Sequence, residues 1–255
     1  MKKLALTSLL AFMAVSGANA ANVIDGNPLY RPGAGHFYSV SALQSRTEAT
    51  EDWALSEEFA YGVTDKLAVV VKTGLSESED FDYMFWNDLS VGLNYRVADM
   101  GNWKADVYGA YSVMPVWGDH QPFLEEDLTR YNWTLGVRAG YVGAGWTVAG
   151  HVDFDYGNSE SFNWDVDGEH RMSVGLDAQF LLDSQWNLVA GVEYTGVLDD
   201  SEHNAGTWDA KFGVNYNIDA TKFVGAYVMG EMEHSTGDWE VVDGMGFGVK
   251  FGIDF

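Results

Sequence analysis

Apolar and polar residues alternate with a period of two along most of this chain. Its last seven residues, VKFGIDF, place Val249, Phe251, Ile253 and Phe255 on one side of an extended segment. Neighbouring side chains of a β-strand point to opposite faces, so this pattern predicts strands with one apolar and one polar face. No helical period is sustained over three turns. The pattern therefore predicts an all-β chain.

Twelve segments carry this alternation, and their connections alternate between short and long. The segments lie near 36–48, 51–62, 67–76, 83–97, 103–116, 129–142, 146–157, 169–181, 186–198, 207–217, 222–232 and 244–255. Short connections include VTDK and VGAG, whereas PVWGDHQPFLEEDLTR is one of the long ones. An even strand number with this layout is typical of an outer-membrane barrel. We therefore predict a transmembrane antiparallel up-and-down β-barrel of 12 strands with short periplasmic turns and long acidic external loops.

Aromatic residues cluster at the strand ends beside the short connections. They are Tyr61, Tyr95, Trp103, Tyr141, Trp146, Phe180, Trp186, Tyr216, Phe223 and Phe255. Aromatic girdles mark the membrane interfaces of such barrels, because a ring can be half in lipid and half in water. A soluble β-sandwich is the alternative, but it has no reason to place aromatic residues at every short turn and spare the long loops.

The N-terminal residues have the pattern of a secretory signal. Lys2 and Lys3 precede an apolar run over 4–15, and Ala18-Asn19-Ala20 fits a cleavage site. We predict a cleaved signal peptide over 1–20 and a single barrel domain over 21–255. The absence of cysteine suits an exported chain, and no later run reaches the 18 apolar residues of a membrane helix. The predicted location is the cell outer membrane.

The final strand is expected to close the barrel against the first one. An apolar strand that runs to the last residue must be paired along its length, since free strand edges are not tolerated in lipid. With Phe251, Ile253 and Phe255, the terminus resembles that of outer-membrane barrels generally, in which a terminal aromatic after alternating apolar residues is the signal read by the barrel-assembly machinery. The resemblance implies this role for Phe255. Outer-membrane lipids and lipopolysaccharide are the other expected partners.

Three stretches of the first third of the chain resemble a narrower family. RPGAGHFYSV, EFAYGVTDKLAVVV and NDLSVGLNYRV are similar to the first strands of outer-membrane proteins associated with phenol-degradation pathways. A Pro-Gly-x-Gly opening, a Tyr-Gly-x-Thr-Asp turn and an Asp-Leu strand recur in that family. The resemblance implies the same location and fold, and it adds aromatic compounds to the candidate solutes.

Charged residues divide between the loops and the predicted lumen. The chain has 38 acids and a net charge of -24. Acidic loops are explained by a solvated outer surface or by divalent ions that bridge them to lipopolysaccharide. The candidate pore-lining residues are Lys72, Arg96, Lys104, Arg138, Arg171, Lys211, Lys250, Asp106, Asp153, Asp177, Glu193 and Asp209. These side chains either select solutes by charge or neutralise one another in a structural network.

A narrow channel for small solutes, aromatic or anionic, is the function predicted from these features. Twelve strands leave a lumen that side chains can constrict. The alternative is a plugged structural or surface-binding barrel, with Trp117, Phe123, Trp164 and Trp239 as contact anchors in acidic loops.

Enzymatic and cofactor functions are not expected. A hydrolase triad could consist of His151, Asp153 and Ser173. Its predicted position in the lumen does not suit a phospholipase, which needs its triad at the lipid-facing wall. We therefore interpret His151 as a hydrogen-bonded lumenal histidine. No catalytic or phosphate-binding motif occurs, and the acidity argues against nucleic acid. Four acid–histidine pairs, Asp119-His120, Glu169-His170, Glu202-His203 and Glu233-His234, are too dispersed to predict a metal site. We predict no cofactor and no metal.

Two places break the alternation, and one strand is ambiguous. Glu57 and Asn87 fall on the lipid side if the pattern is uninterrupted, and a bulge near each would restore the register. In 222–232, either Phe223 and Tyr227 or the set around Val224 and Val228 could face lipid.

Deleting Phe255 tests its assigned role in assembly. We expect export across the inner membrane to continue while insertion into the outer membrane falls. Folding should suffer less, because one exposed aromatic side chain contributes only about 1.5–3 kcal/mol of apolar burial. Fractionation and heat-modifiable gel migration measure both steps. Normal amounts of folded, inserted protein would show that Phe255 is not the assembly signal.

Overall fold

A computed structural model describes seven stretches of the chain. They are 27–46, 53–78, 83–116, 128–160, 165–198, 206–234 and 239–255. The predicted signal peptide over 1–20 lies outside these residues, as do Trp117, Phe123 and Trp164 and the pairs Asp119-His120 and Glu202-His203. No helix in these stretches has the length and apolarity needed to cross a membrane.

The described residues form twelve antiparallel strands. They are β1 (Phe37–Arg46), β2 (Trp53–Gly62), β3 (Leu67–Ser78), β4 (Tyr83–Met100), β5 (Trp103–Val116), β6 (Leu128–Val142), β7 (Trp146–Glu160), β8 (Asp165–Leu181), β9 (Trp186–Val197), β10 (Gly206–Asn217), β11 (Lys222–His234) and β12 (Trp239–Asp254). Each strand pairs with its sequence neighbours, and β1 pairs with β12, which gives a closed barrel. This confirms the predicted fold class.

The pairing of β1 with β12 closes the barrel, as expected from the C-terminal alternation. The register runs from Tyr38 opposite Asp254 to Arg46 opposite Gly246. At its end, the backbones of Phe37 and Phe255 exchange hydrogen bonds of 3.1 and 2.8 Å. Their rings stack with centroids 4.3 Å apart. The last residue is therefore held by both backbone and ring contacts.

The short connections lie together at one end of the barrel, which we call the turn end. They are residues 63–66, 101–102, 143–145, 182–185 and 218–221. In the β8–β9 turn, the backbone N–H groups of Gln185 and Trp186 donate to Asp183 Oδ1, each at 2.7 Å. These bonds stabilise the carboxylate and hold the pKa of Asp183 below its usual range. The opposite end is called the loop end.

The outer wall of the barrel is apolar. Leu93, Leu135, Phe212 and Val249 are 53–66% exposed although they lie in regular strands. Exposed apolar residues in every strand make a surface suited to lipid rather than water. Near the turn end, Trp103 and Trp146 contact Tyr141, with centroids 5.3 and 5.1 Å apart. This confirms the predicted girdle there.

Phe223 is an exception, because it points into the barrel. It is 2% exposed and Tyr227 5%, whereas Val224 and Val228 are 41% and 45% exposed. Assigning Phe223 to the girdle was therefore wrong. The physical reason is the inner face of β12, where a Cβ at Gly252 would lie only 2.0 Å from the Phe223 ring. The large inward residues of β11 pack against glycines of β12.

Of the two expected bulges, one is present and one is not. In the β3–β4 ladder, Gly74 pairs with Asp88 and Leu75 with Trp86, so Asn87 is the extra residue of a bulge. The β2 ladders run without a shift past Glu57. The expectation of a bulge near Glu57 was wrong, and this carboxylate stays on the outer wall.

Two serines explain how the outer wall accommodates Glu57. Ser39 and Ser41 of β1 share that face, and their hydroxyl groups donate to the two carboxylate oxygens of Glu57. Phe59 and Leu55 flank it on the same face of β2, with 46% and 45% exposure. A hydrogen-bonded carboxylate thus sits within an otherwise apolar belt.

Several strands continue into segments predicted as loops. The strand β12 begins at Trp239, five residues before the predicted start at 244. Its ladder with β11 shifts between Gly230 and Met232, and Gly244 has a φ of 71°. This irregularity interrupts the alternation, and the period-two pattern therefore identified only the part of β12 beyond it.

Replacing Glu57 with leucine should stabilise the folded barrel. The change removes a carboxylate from the lipid-facing wall. A lysine or arginine on that wall at the bilayer midplane destabilises a barrel by about 2–4 kcal/mol, and an acid does so by less. We therefore expect the free energy of unfolding to rise by about 1 kcal/mol. Glu58→Leu is the matched control. Glu58 faces inward, accepts from Tyr38 and lies 2.9 Å from Lys72 Nζ, so this variant should lose stability. Urea unfolding in lipid vesicles measures both changes, and a destabilised Glu57→Leu would contradict the placement.

Candidate functional site

A row of inward-facing residues, polar except for Gly175, crosses the inner wall of eight consecutive strands. Cross-strand partners connect it without interruption from β4 to β11. Its members are Arg96, Asp106, Arg138, His151, Gly175, Glu193, Asp209 and Glu231. Because the strands of a barrel tilt, a row perpendicular to them climbs from one end of the lumen towards the other. Bases dominate its beginning and acids its end.

At the turn end, the row begins with a buried ion pair. Arg96 donates to both carboxylate oxygens of Asp106, at 2.5 and 3.1 Å. Arg31 adds a second cation, with Nη1 3.7 Å from Asp106 Oδ1. Arg96 and Asp106 are 5% and 2% exposed. Bidentate geometry and a second cation compensate for the desolvation of these charges.

The segment before β1, residues 27–36, crosses the lumen at this end. Tyr30 donates to Asp254 of β12 at 2.7 Å, whereas the Pro28 carbonyl oxygen accepts from Arg138 of β6 at 2.9 Å. The strands β12 and β6 lie opposite each other in a ring of twelve. Arg96 of β4 also donates to the Leu29 carbonyl oxygen at 2.7 Å. We call these residues the N-terminal crossing.

Close packing fixes the N-terminal crossing. Leu29 is 3% exposed, and a Cβ at Gly62 would lie 1.9 Å from the carbonyl oxygen of Gly33. The guanidinium of Arg31 donates to the Lys66 and Asp65 carbonyl oxygens at 2.9 and 2.5 Å. The first predicted strand begins near residue 36, so the alternation did not predict the crossing that precedes it. Its one signal was the RPGAG sequence, because glycine permits such close backbone approach.

Beside the N-terminal crossing, the lumen holds a cavity of about 610 Å³. Its charged lining residues are the bases Lys72, Arg138, Lys211 and Lys250 and the acids Glu58 and Asp177. Lys211 Nζ lies 4.1 Å from the centroid of the Tyr227 ring, and the Arg138 guanidinium lies over Tyr108. Four positive and two negative groups make this space favourable to anions.

On β7 to β9, one imidazole lies among carboxylates. His151 Nε2 is 2.7 Å from Glu193 Oε2 and 3.9 Å from Asp153 Oδ2, and Nδ1 is 3.1 Å from Asp177 Oδ2. Ser173 Oγ instead lies 2.7 Å from Thr195 Oγ1. Ser173 and His151 thus have different partners, which does not resemble a nucleophile–base pair.

The far end of the row is acidic. Asp209 lies opposite Glu193 on one side and Glu231 on the other. Arg46 pairs with Glu231 at 2.7 Å. Three adjacent carboxylates and one arginine leave this part of the wall with net negative charge.

The twelve candidate pore-lining residues thus separate into distinct groups. Lys72, Arg138, Lys211, Lys250 and Asp177 line the cavity. Arg96 and Asp106 hold the N-terminal crossing, and Lys104 pairs with Asp99 at the turn end at 2.7 Å. Asp153, Glu193 and Asp209 lie in the histidine and acidic groups, and Arg171 lies opposite Asp155. Sequence analysis missed Arg31, Arg46 and Glu58 as members of these groups.

Comparison with known proteins identifies the fold but no family. No family model and no curated protein matches the chain. The NanC porin superposes with a TM-score of 0.56 at 10% identity, covering 86% of this chain and 98% of that one. An outer-membrane channel from Pseudomonas putida F1 gives 0.58 at 13% identity, with 91% and 100% covered. The translocator domain of the autotransporter NalP from Neisseria meningitidis gives 0.50 at 13%, with 98% and 95% covered. The chain thus has the fold of bacterial outer-membrane β-barrels.

Substituting Arg96 with methionine should destabilise the barrel by about 3–5 kcal/mol, because it leaves the buried Asp106 carboxylate with only the longer contact to Arg31. Lys104→Met is the matched control. It breaks the more exposed pair with Asp99 at the same end and should cost less than about 1 kcal/mol. Urea unfolding followed by tryptophan fluorescence compares the two. Equal losses would contradict the central role of the Arg96–Asp106 pair.

Proposed function

We propose that this protein is a narrow outer-membrane channel for the passive passage of small anionic solutes. The observation that carries the proposal is the excess of bases around the cavity of about 610 Å³. A charged lining sets permeation by sign and size. The volume suits a small metabolite rather than a polymer. Likeness in fold to a porin and to an outer-membrane channel supports the same class of function.

The N-terminal crossing is the proposed constriction of this channel. It bridges opposite walls through Tyr30 and Pro28, so a solute that leaves the cavity at the turn end must pass beside it. Its carbonyl groups accept from arginines of the wall, which ties the segment down without exposing an apolar surface to the lumen. A constriction of this kind favours small solutes over large ones.

Aromatic anions are the proposed subset of solutes. Tyr30, Tyr38 and Tyr108 line the cavity beside Lys72 and Arg138. Rings and cations together suit a planar carboxylate, because the ring can stack while the charge is neutralised. The resemblance of the first third of the chain to outer-membrane proteins associated with phenol degradation supports the same class.

A plugged barrel that binds a surface partner is the second candidate function. The observation in its favour is the N-terminal crossing itself, which occupies the mouth of the lumen. Trp239 begins β12, whereas the other three proposed aromatic anchors lie outside the described residues. This function predicts that the full-length barrel conducts no ions, whereas a variant without the crossing does.

Planar-bilayer recordings of the purified barrel test the channel function. We expect conductance steps above the detergent blank and a reversal potential that indicates anion preference. Lys72→Gln, Lys211→Gln and Lys250→Gln combined should shift the preference towards cations. Lys222→Gln is the matched control, because Lys222 pairs with Asp219 at the turn end and does not line the cavity. Absence of steps from the wild type would overturn the channel, and cation preference of the wild type would overturn the role of the bases.

Deleting residues 21–35 tests the constriction separately. Removing the N-terminal crossing should raise the single-channel conductance several-fold, because the mouth at the turn end is then open. Heat-modifiable gel migration shows whether the variant still folds. A folded variant that conducts no more than wild type would show that the crossing does not limit passage.

A further inference from the structure

We propose that His151, Asp153 and Glu193 form a binding site for one divalent transition-metal ion on the inner wall of the barrel. One ligand atom from each of the three residues lies within 4.8 Å of the others. His151 is 7% exposed, so its imidazole is removed from bulk water. This goes beyond the channel function, since ion binding here requires no solute to pass.

The orientation of the imidazole is the first argument. Nε2 faces both proposed carboxylate ligands, at 2.7 Å from Glu193 and 3.9 Å from Asp153, while Nδ1 faces Asp177 on the other side. Nδ1 is buried and lies 3.1 Å from Asp177 Oδ2, without the alignment of a hydrogen bond. Metal-bound histidines characteristically donate from their second nitrogen to a carboxylate, and a small rotation of the Asp177 side chain would complete such a bond here. Asp177 is therefore assigned as the positioning residue of His151.

Each proposed carboxylate ligand also has its own support. The Tyr108 hydroxyl donates to Asp153 Oδ1, which leaves Oδ2 directed to His151. Thr195 Oγ1 lies 3.5 Å from Glu193 Oε1 and 2.7 Å from Ser173, while Glu193 Oε2 faces the imidazole. One oxygen of each carboxylate is thus held by a neighbouring hydroxyl, and the other is directed towards the centre of the group.

Glycines leave the room that these side chains occupy. A Cβ at Gly175 would lie 2.3 Å from His151 Nε2, so the imidazole rests flat on that glycine and reaches across β8 to Glu193. A Cβ at Gly136 would lie 2.0 Å from Asp153 Oδ1, and one at Gly191 would lie 2.8 Å from Asp177 Oδ1. The backbone of β6, β8 and β9 thus leaves space for the group.

Charge balance favours a cation at this place. Asp153, Asp177 and Glu193 bring three negative charges to one imidazole, and Asp209 lies beside Glu193 in the row. The residue opposite His151 in the β6–β7 ladder is Arg138, and its guanidinium is directed to the Pro28 carbonyl oxygen and to the Tyr108 ring. A divalent ion would offset most of the remaining negative charge.

The donor set decides which ion fits. One imidazole nitrogen with two carboxylate oxygens suits zinc and its first-row neighbours rather than calcium or magnesium, which prefer oxygen alone. An ion with bonds of about 2.1 Å holds tetrahedral ligands about 3.4 Å apart. The distances from His151 Nε2 to Glu193 (2.7 Å) and to Asp153 (3.9 Å) lie below and above this value. Small adjustments of these side chains would therefore complete the site.

Titration of the metal-stripped, refolded full-length barrel tests the site. Absorption spectroscopy with Co²⁺ and calorimetry with Zn²⁺ should each show that one metal ion binds tightly per chain. His151→Gln and Glu193→Gln should weaken it by at least about 100-fold, and Asp177→Asn by about 10- to 100-fold as expected for a positioning residue. Gly175→Ala should also weaken it although every ligand remains, because its Cβ displaces the imidazole.

The matched control is His36→Gln, which removes a histidine that lies 3.1 Å from the Phe255 carbonyl oxygen, outside the group. It should bind as wild type does. Heat-modifiable migration restricts the comparison to folded variants. If the His151→Gln variant still binds the metal as tightly as wild type, the ion lies on other acidic residues. If the wild type is not saturated with metal below about 1 mM, the histidine and the carboxylates form only a hydrogen-bonded network. Either result overturns the proposal.

Discussion

The whole structure depends on one constraint, that a backbone in lipid must pair all its polar groups. The chain meets it by a ladder that returns to its beginning, where β1 pairs with β12 from Tyr38–Asp254 to Arg46–Gly246. Closure leaves no free edge, so most of the large apolar side chains can be placed on the outside. The apolar stripe of the last strand follows from this, because Val249 and Phe251 face lipid at 57% and 41% exposure.

Closure also determines what the interior contains. The inner wall cannot be filled as a soluble core is, since the outer wall already holds most of the apolar residues. Instead, large inward side chains lie over glycines of the neighbouring strand, as Tyr227 does over Gly248 and His151 over Gly175. The remaining space is occupied by ion pairs and polar groups. The high glycine content is therefore a packing property of the lumen.

The arrangement of charge within the lumen connects these features to function. Bases hold the N-terminal crossing and surround the cavity, while acids occupy the continuation of the same ladder towards the loop end. Cross-strand register brings these groups together, because the consecutive strands β4, β5 and β6 place Arg96, Asp106 and Arg138 side by side. The proposed metal site uses His151 and Glu193 of this row, whereas Arg138 is the member of the row that also lines the cavity.

The sequence by itself determined the number of strands, their apolar faces, the barrel and one girdle, because a period of two and the turn spacing are local properties. The alternation also predicts which charges face inward. Only the tertiary structure decided which inward residues meet. Phe223 faces inward because β12 offers glycine there, and Glu57 faces lipid because Ser39 and Ser41 of another strand supply its hydrogen bonds. The alternation of apolar and polar residues could not predict the N-terminal crossing, because this segment has no such alternation. It is held in place by arginines of β4 and β6. Such contacts depend on register between strands, which alternation along one strand does not encode.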